Sequence, residues 1–502
     1  MADTAESSAA QLGTRAVSNS VLILAARVVS RGISLVVVIV LANSLGATQY
    51  GEYTTLVVYS AIISVVADLG FAPLYTREAA RNRNQLGDYL GTLLILKLVL
   101  SASAVIVFAI LFGLGTRLTS LIIPGAVLLI ATAYANQLRN TFYAVGRAEF
   151  DAIALLGEIA IQAGLILFGA RRHAGVSYFV LAYASSYLFT VVYSLVVIRV
   201  FRLGEVRIRF DRTLVMRWWP LALPFALTSF LTNLYFDADR VILPIFRPFA
   251  EVGWYNLAYK PYEALQFIPL AIQVVVYPLL GVYFVTDVAR LKTAYTRFFK
   301  ALVLLGWPLT VGTFVLFHNI NALFNRSGAF AQSESALRIL AFGIVFLFAS
   351  SSFYAMLNAT NRQQFNAIAT GVAAAINIVL NFIFIPFYGY LAASATTVVT
   401  EAALCSLGWW LVQRGRPELR LPVLTISWRI LLAGAVMGAV LYPLRGESVL
   451  LSVPAGFLVY VVAVLVIRAV DPEEWDMLME GLLARLRRNP PRVIVVGRDG
   501  KA

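Results

Sequence analysis

Eleven ionisable side chains stand inside stretches that are otherwise apolar: Arg27, Arg31, Asp68, Lys97 and Glu158 early in the chain, then Asp237, Asp239, Arg240, Lys260, Glu263 and Glu401. Each type suits a particular chemistry. Arg27 and Arg31 are four residues apart, so on a helix they stack on one face and could grip a phosphate through paired N–H groups. Lys97 could add a third positive charge, with Asp68 as its alternative internal partner. The later cluster mixes both signs and could form a gate that opens by breaking ion pairs; Asp237 and Arg240 are spaced to pair within one helix. Glu401 has no charged neighbour in sequence, which suits either a neutral, hydrogen-bonded acid or a proton carrier. Asp237-Ala238-Asp239 also mimics the paired aspartates of metal-dependent glycosyltransferases, although a lone pair of this kind is a weak signal. Classical catalytic sets are missing from the sequence. Cys405 is the single cysteine, His173 and His318 fall in connecting segments, and there is no GxxxxGK[ST] phosphate loop. No catalytic residue, metal centre or cofactor is therefore expected.

The elements that would hold these charges follow from composition. Apolar residues make up 60% of the 502-residue chain, charged residues 13%, and the mean hydropathy is +0.80. Soluble domains carry about 25% charged residues, so the chain is expected to be an all-α, polytopic membrane protein. Apolar runs of spanning length occur near 18–44, 52–74, 90–113, 119–145, 152–170, 176–198, 218–246, 254–284, 298–317, 335–358, 365–385, 391–412, 427–443 and 449–467, fourteen in all. An even number places both termini on one side. The segments on that side hold most of the Lys and Arg, with Arg171-Arg172 the main exception, so the positive-inside rule predicts cytoplasmic termini in the cell (inner) membrane. The same placement turns the net charge of +14 away from nucleic acid and toward membrane topology. The first 17 residues are polar and lack a cleavable signal pattern. Trp218-Trp219, Trp409-Trp410 and Trp428 fall where an interfacial aromatic belt is expected, and Asp471-Pro472 opens an amphipathic helix predicted to lie on the cytoplasmic leaflet.

Counting depth at about 1.5 Å per residue puts Arg27, Asp68, Lys97 and Glu158 roughly 10–14 Å from the cytoplasmic boundary. The Asp237–Glu263 group falls in the outer third and Glu401 near the middle. Pro220 and Pro224 are expected to break the seventh span and Pro261 the eighth.

The chain also repeats itself. Arg147-Ala-Glu-Phe-Asp-Ala-Ile-Ala154 returns as Arg362-Gln-Gln-Phe-Asn-Ala-Ile-Ala369, and Tyr50-Gly51-Glu52-Tyr53 as Val252-Gly253-Trp254-Tyr255. Copies separated by six spans start on the same side, so the repeat is parallel. The expected units are a tail (1–17), a first six-helix lobe (18–198), a basic linker (199–217), a second six-helix lobe (218–412), two further helices (413–470) and the amphipathic segment (471–502). The linker carries six arginines and reads as a topogenic, headgroup-contacting segment.

Leu45-Gly46-Ala47-Thr48-Gln49-Tyr50-Gly51-Glu52-Tyr53, Asp68-Leu69-Gly70-Phe71, and Asp239-Arg240 followed by Glu251 to Lys260 give the chain a specific likeness. It resembles the polysaccharide exporter (oligosaccharide flippase) family of the multidrug/oligosaccharidyl-lipid/polysaccharide exporter superfamily, over roughly residues 15–470. The resemblance implies a flippase with two six-helix lobes around a central cavity, moving a polyprenyl-(pyro)phosphate-linked glycan outward by alternating access. Arg27, Arg31 and Lys97 become the expected substrate contacts, and Asp237, Asp239, Arg240, Lys260, Glu263 and Glu401 the gating or ion-coupling candidates. Expected partners are the lipid-linked oligosaccharide, the bilayer, and possible glycosyltransferases and a glycan polymerase. A cation-coupled multidrug antiporter of the same superfamily is the alternative, disfavoured because bases outnumber acids among the first lobe's candidates.

Overall fold

Backbone N–H and C=O groups find no water in a bilayer, so apolar runs of this length must satisfy them internally as helices. The computed structural model describes residues 2–113, 118–204 and 207–470, with side chains from Ala26 onward. Every long element in it is helical: α1 (Ala2–Asp68), α2 (Phe71–Arg81), α3 (Leu86–Gly113), α4 (Ile122–Ala144), α5 (Glu149–Arg171), α6 (Val176–Val200), α7 (Arg212–Phe246), α8 (Phe249–Leu265), α9 (Phe267–Thr286), α10 (Val288–Val315), α11 (Phe317–Phe324), α12 (Ser333–Ala359), α13 (Gln363–Gly415), α14 (Val423–Leu441) and α15 (Val449–Val466). The amphipathic helix expected from Asp471 lies outside the described residues.

Among the described residues, twelve stretches are long and apolar enough to cross a membrane. Two of them, Ala26–Asp68 and Gln363–Gly415, have 43 and 53 residues. At 1.5 Å per residue these would measure about 65 and 80 Å if straight, twice the hydrocarbon thickness or more. Each is two helices joined without a loop, at Gly46 (φ 70°) and Gly389 (φ 57°). Twelve stretches with two counted twice give the fourteen spans. Left-handed φ favours glycine, and the two joints precede the second and the twelfth spans, which are not equivalent positions of the repeat.

The prolines do not break helices where the sequence suggests. α7 runs unbroken through Pro220, Pro224 and Pro244, and α8 passes Pro261 and ends at Leu265. Spanning helices tolerate proline because nearby groups can take up the freed carbonyls. The second span breaks instead at Leu69-Gly70, both left-handed (φ 44° and 77°).

The repeated residues prove to be scaffold. Arg147 lies over the ring of Phe150, 4.6 Å from its centroid, and Arg362 over Phe365 at 4.5 Å. Arg362 also donates to the Leu411 carbonyl at 3.1 Å, fastening the turn to the end of α13. Two apolar cores fill the first half and one larger core the second.

The halves meet at both faces. Away from the chain ends, a Cβ on Gly51 would stand 1.8 Å from the Phe249 carbonyl oxygen, and one on Gly253 would stand 2.1 Å from that of Ala47. Only glycine permits that reciprocal approach of α1 and α8. The segment after α11 covers it: Asn43 donates to the Phe324 carbonyl and accepts from the Ser327 N–H, at 2.7 and 2.9 Å, while Phe330 meets Tyr50 edge-on. At the basic face, Gly70 lies against the Ala222 and Ala226 backbone of α7, and Phe71 against Trp219. Trp218 departs from the expected aromatic belt. It is buried, with its ring 4.7 Å from Tyr89.

Candidate functional site between the lobes

Residues 232 positions apart are joined across the halves: an Arg31 guanidinium N–H donates to Glu263 Oε1 at 3.2 Å. Glu263 is the hub of the group. Lys260 Nζ lies 2.8 Å from its Oε2 and Arg240 Nη2 lies 3.4 Å away. Arg240 in turn holds Asp237 at 3.0 Å and stacks 4.2 Å from the Tyr259 ring centroid. The Arg31 side chain is 67% exposed against 25% for Glu263. Its charge is therefore only half committed to the protein.

The location explains that exposure. Above Arg31, toward the face away from the chain ends, α1 and α8 are packed glycine to backbone. Below it, Arg27, Val28 and Val29 are exposed on α1, and α9, which follows α8 in the chain, buries only Pro269 and Leu280. A small cavity of about 30 Å³ lies at the junction, lined by Arg31, Ser34, Lys260 and Glu263. Arg27, one turn nearer the basic face, is exposed as the i,i+4 spacing requires.

Lys97 does something else. It is buried, donating to Asp68 Oδ1 at 2.9 Å and to the Ala133 carbonyl at 3.1 Å. The pair borders a cavity of about 200 Å³ that includes Ser229 of α7, but the ammonium is spent internally. Lys97 is thus a partner of Asp68 at the edge of that cavity. Asp68→Asn would leave the lysine buried and unpaired, a loss of roughly 3–5 kcal/mol. A clear drop in Tm in detergent is expected, with recovery in Asp68→Leu/Lys97→Met; an unchanged Tm for Asp68→Asn would contradict the pairing.

The second-lobe candidates divide into two groups. Asp237, Arg240, Lys260 and Glu263 gather at Arg31, whereas Asp239 accepts from the hydroxyls of Tyr255 and Thr397 inside the lobe. Helix geometry requires this, since positions 237 and 240 share a face and 237 and 239 oppose. Asp237 and Asp239 therefore do not converge as a metal-binding pair. Glu401 joins Asp239 at a polar cavity of about 20 Å³, lined also by Tyr235, Tyr259, Asn377 and Thr400. Its size suits one water molecule.

A third ionic group was not read from the sequence. Arg139 of α4 bonds Asp151 and lies 3.3 Å from Glu158, which also accepts from Thr190 at 2.9 Å. Arg139 is the single charge inside the apolar run 119–145, and that isolation is the signal that could have revealed it.

Comparison with known proteins fits this architecture. Residues 16–284, more than half of the chain, match the family described as polysaccharide biosynthesis protein. The chain belongs to that family. Residues 224–383 also match the MatE family. A solved structure of the lipid II flippase MurJ in an inward closed conformation is similar, with a TM-score of 0.70 at 15% identity over 88% of this chain and 98% of that one. An inward-facing multidrug resistance MATE transporter of the MOP superfamily gives 0.64 at 16% identity, over 78% and 95%. The uncharacterized membrane protein YabM of Bacillus subtilis is 27% identical over 175 residues, 33% of this chain and 32% of its own length. The match thus spans about a third of that curated relative. The chain thus combines membership of the polysaccharide biosynthesis protein family with the fold seen in the flippase and MATE transporter structures.

Proposed function

We propose that this protein is a transporter that flips a polyprenyl-(pyro)phosphate-linked oligosaccharide from the cytoplasmic to the outer leaflet of the cell membrane. The basic face is cytoplasmic in this reading, with both chain ends there. The units that move are the six-helix lobes 18–198 and 218–412, joined by the linker 199–217. The observation that carries the proposal is Arg31: a charge deep between the lobes, two-thirds exposed and, among the described residues, held from the second lobe by Glu263. An incoming phosphate competes with that carboxylate. Arg31 and Arg27 then take the anion bidentately, while the polyprenyl tail stays in the bilayer. Releasing Glu263 from Arg31 removes an ion pair between α1 and α8, so substrate binding loosens the contact that must open outward. Glu263 keeps Lys260 and Arg240 and is not left unpaired.

An outward-moving anion runs downhill in an inside-negative potential, by about 2.3 kcal/mol per charge per 100 mV. Glycosyltransferases would build the substrate inside and a polymerase would consume it outside. Lys97 has no part in binding here, and Asp239 and Glu401 are left as candidates for ion coupling. The test is depletion of the protein in cells that make the glycan. Lipid-linked sugar should accumulate where an external glycosidase reaches it only after permeabilisation. Accumulation accessible from outside, or none at all, would sink the proposal.

A further inference from the structure

Residues 207–211, just before α7, form a built strap. Thr92 donates its hydroxyl to the Arg209 carbonyl at 3.0 Å, and the Asp211 N–H donates to the same hydroxyl at 3.4 Å. Gly91 admits the strap, because a Cβ there would stand 1.8 Å from the Arg207 carbonyl oxygen. The segment is therefore fixed across the start of α3.

Its side chains alternate in kind. Ile208 and Phe210 are 78% and 47% exposed, large apolar groups set where α3 and α7 enter the apolar layer. Arg207 and Arg209 alternate with them, and Arg212 and Arg217 follow on the first turns of α7. These four arginines, with Asp88 and Asp211 as the acids, line a cavity of about 750 Å³. Asp211 offers that cavity little. Its carboxylate caps α7, accepting from the Thr213 hydroxyl and from the Thr213 and Leu214 N–H groups. The Thr213 hydroxyl first, and the Leu214 N–H next, hold it below the usual carboxylate range. Arg209, Arg212 and Arg217 have no carboxylate at ion-pair distance among the described residues, and Arg209 acts on the capping Asp211 only as the weakest of the influences on it. The cavity is thus roomy, basic and preorganised, with apolar groups at its rim.

We propose that this cavity binds the phosphate headgroup of an anionic phospholipid, with Ile208 and Phe210 against its acyl chains. The occupant is a bilayer lipid, so the site is separate from the Arg31 cleft and does not rest on the proposed substrate. A phosphodiester supplies the charge that Arg209, Arg212 and Arg217 lack, and acyl chains supply the cover that Ile208 and Phe210 lack. Free phosphate would satisfy only the first. Because the strap ties α3 of the first half to the start of α7 of the second, a lipid here also fastens the lobes at the basic face.

The test uses the full chain in a zwitterionic detergent and follows Tm while short-chain phosphatidylglycerol, phosphatidylcholine or sodium phosphate is added. Phosphatidylglycerol should raise Tm saturably and the other two should not. Arg209→Ala/Arg212→Ala/Arg217→Ala should weaken that response at least about tenfold. Thr92→Val, which keeps every charge but frees the strap, should weaken it about threefold; Arg414→Ala/Arg420→Ala should leave it unchanged. An equal response to phosphatidylcholine, an equal response to sodium phosphate, or a Thr92→Val response like wild type would overturn the proposal. Should the triple variant fail to fold, the Thr92→Val comparison decides alone.

Discussion

Gly253→Ala is expected to prise the lobes apart at the face away from the chain ends and abolish most transport. The new methyl carbon would lie 2.1 Å from the Ala47 carbonyl oxygen, against 3.4–4 Å for ordinary contact. The obstacle is backbone, so no rotamer change relieves it. Overpacking of this kind costs typically about 1–3 kcal/mol, which shifts a two-state equilibrium roughly five- to hundredfold. The cost falls only on the state in which α1 and α8 touch, so the balance moves toward the outward-open form. Spin labels at Gln49→Cys and Phe387→Cys in a Cys405→Ala background read this as a longer distance distribution. Unchanged distances together with full transport would refute the claim that this glycine contact closes the outer face. Gly51→Ala should act the same way, since its Cβ meets the Phe249 carbonyl at 1.8 Å.

Arg31→Ala is expected to leave the fold intact and remove transport. The side chain is two-thirds exposed, so an ion pair with Glu263 contributes only about 0–1 kcal/mol to stability, and Tm should hardly move. Loss of a charge-assisted contact to substrate is larger, about 1.5–3 kcal/mol, or roughly ten- to hundredfold in binding. Arg31→Lys should recover part of the activity, because lysine keeps the charge but not the fork. Binding measured with a fluorescent polyprenyl pyrophosphate should weaken in the order wild type, Lys, Ala. Equal affinity across the series would assign Arg31 a purely structural role.

Much of this architecture was legible because the bilayer imposes it. Apolar run length placed the helices, and the recurrence of Gly51 and Arg147 at Gly253 and Arg362 gave the parallel halves. Helix periodicity could also have separated Asp237 from Asp239, a distinction the sequence reading missed by grouping every charge of one depth. Two features were out of reach. The Arg31–Glu263 pair joins residues whose packing depends on how the lobes lean together, and no local pattern encodes that angle. Lys97 illustrates the converse. Depth suggested a cavity and the sequence offered Asp68 as the alternative partner, which is the one the ammonium takes, together with the Ala133 carbonyl. Trp218 looked interfacial by position and is buried by the crossing of α7 over the α2–α3 region.

The central claim is that Arg31 holds Glu263 at rest and substrate phosphate in transit. Its most direct test is flipping of a fluorescent polyprenyl-pyrophosphate disaccharide in proteoliposomes, comparing wild type, Arg31→Ala and the charge swap Arg31→Glu/Glu263→Arg. The swap keeps one acid and one base at positions 31 and 263 while moving the cation to the other helix, beside Lys260 and Arg240. Protein-dependent flipping by wild type, with both variants reduced at least about tenfold, is the expected result; wild-type rates in Arg31→Ala, or no flipping by wild type at all, would contradict it.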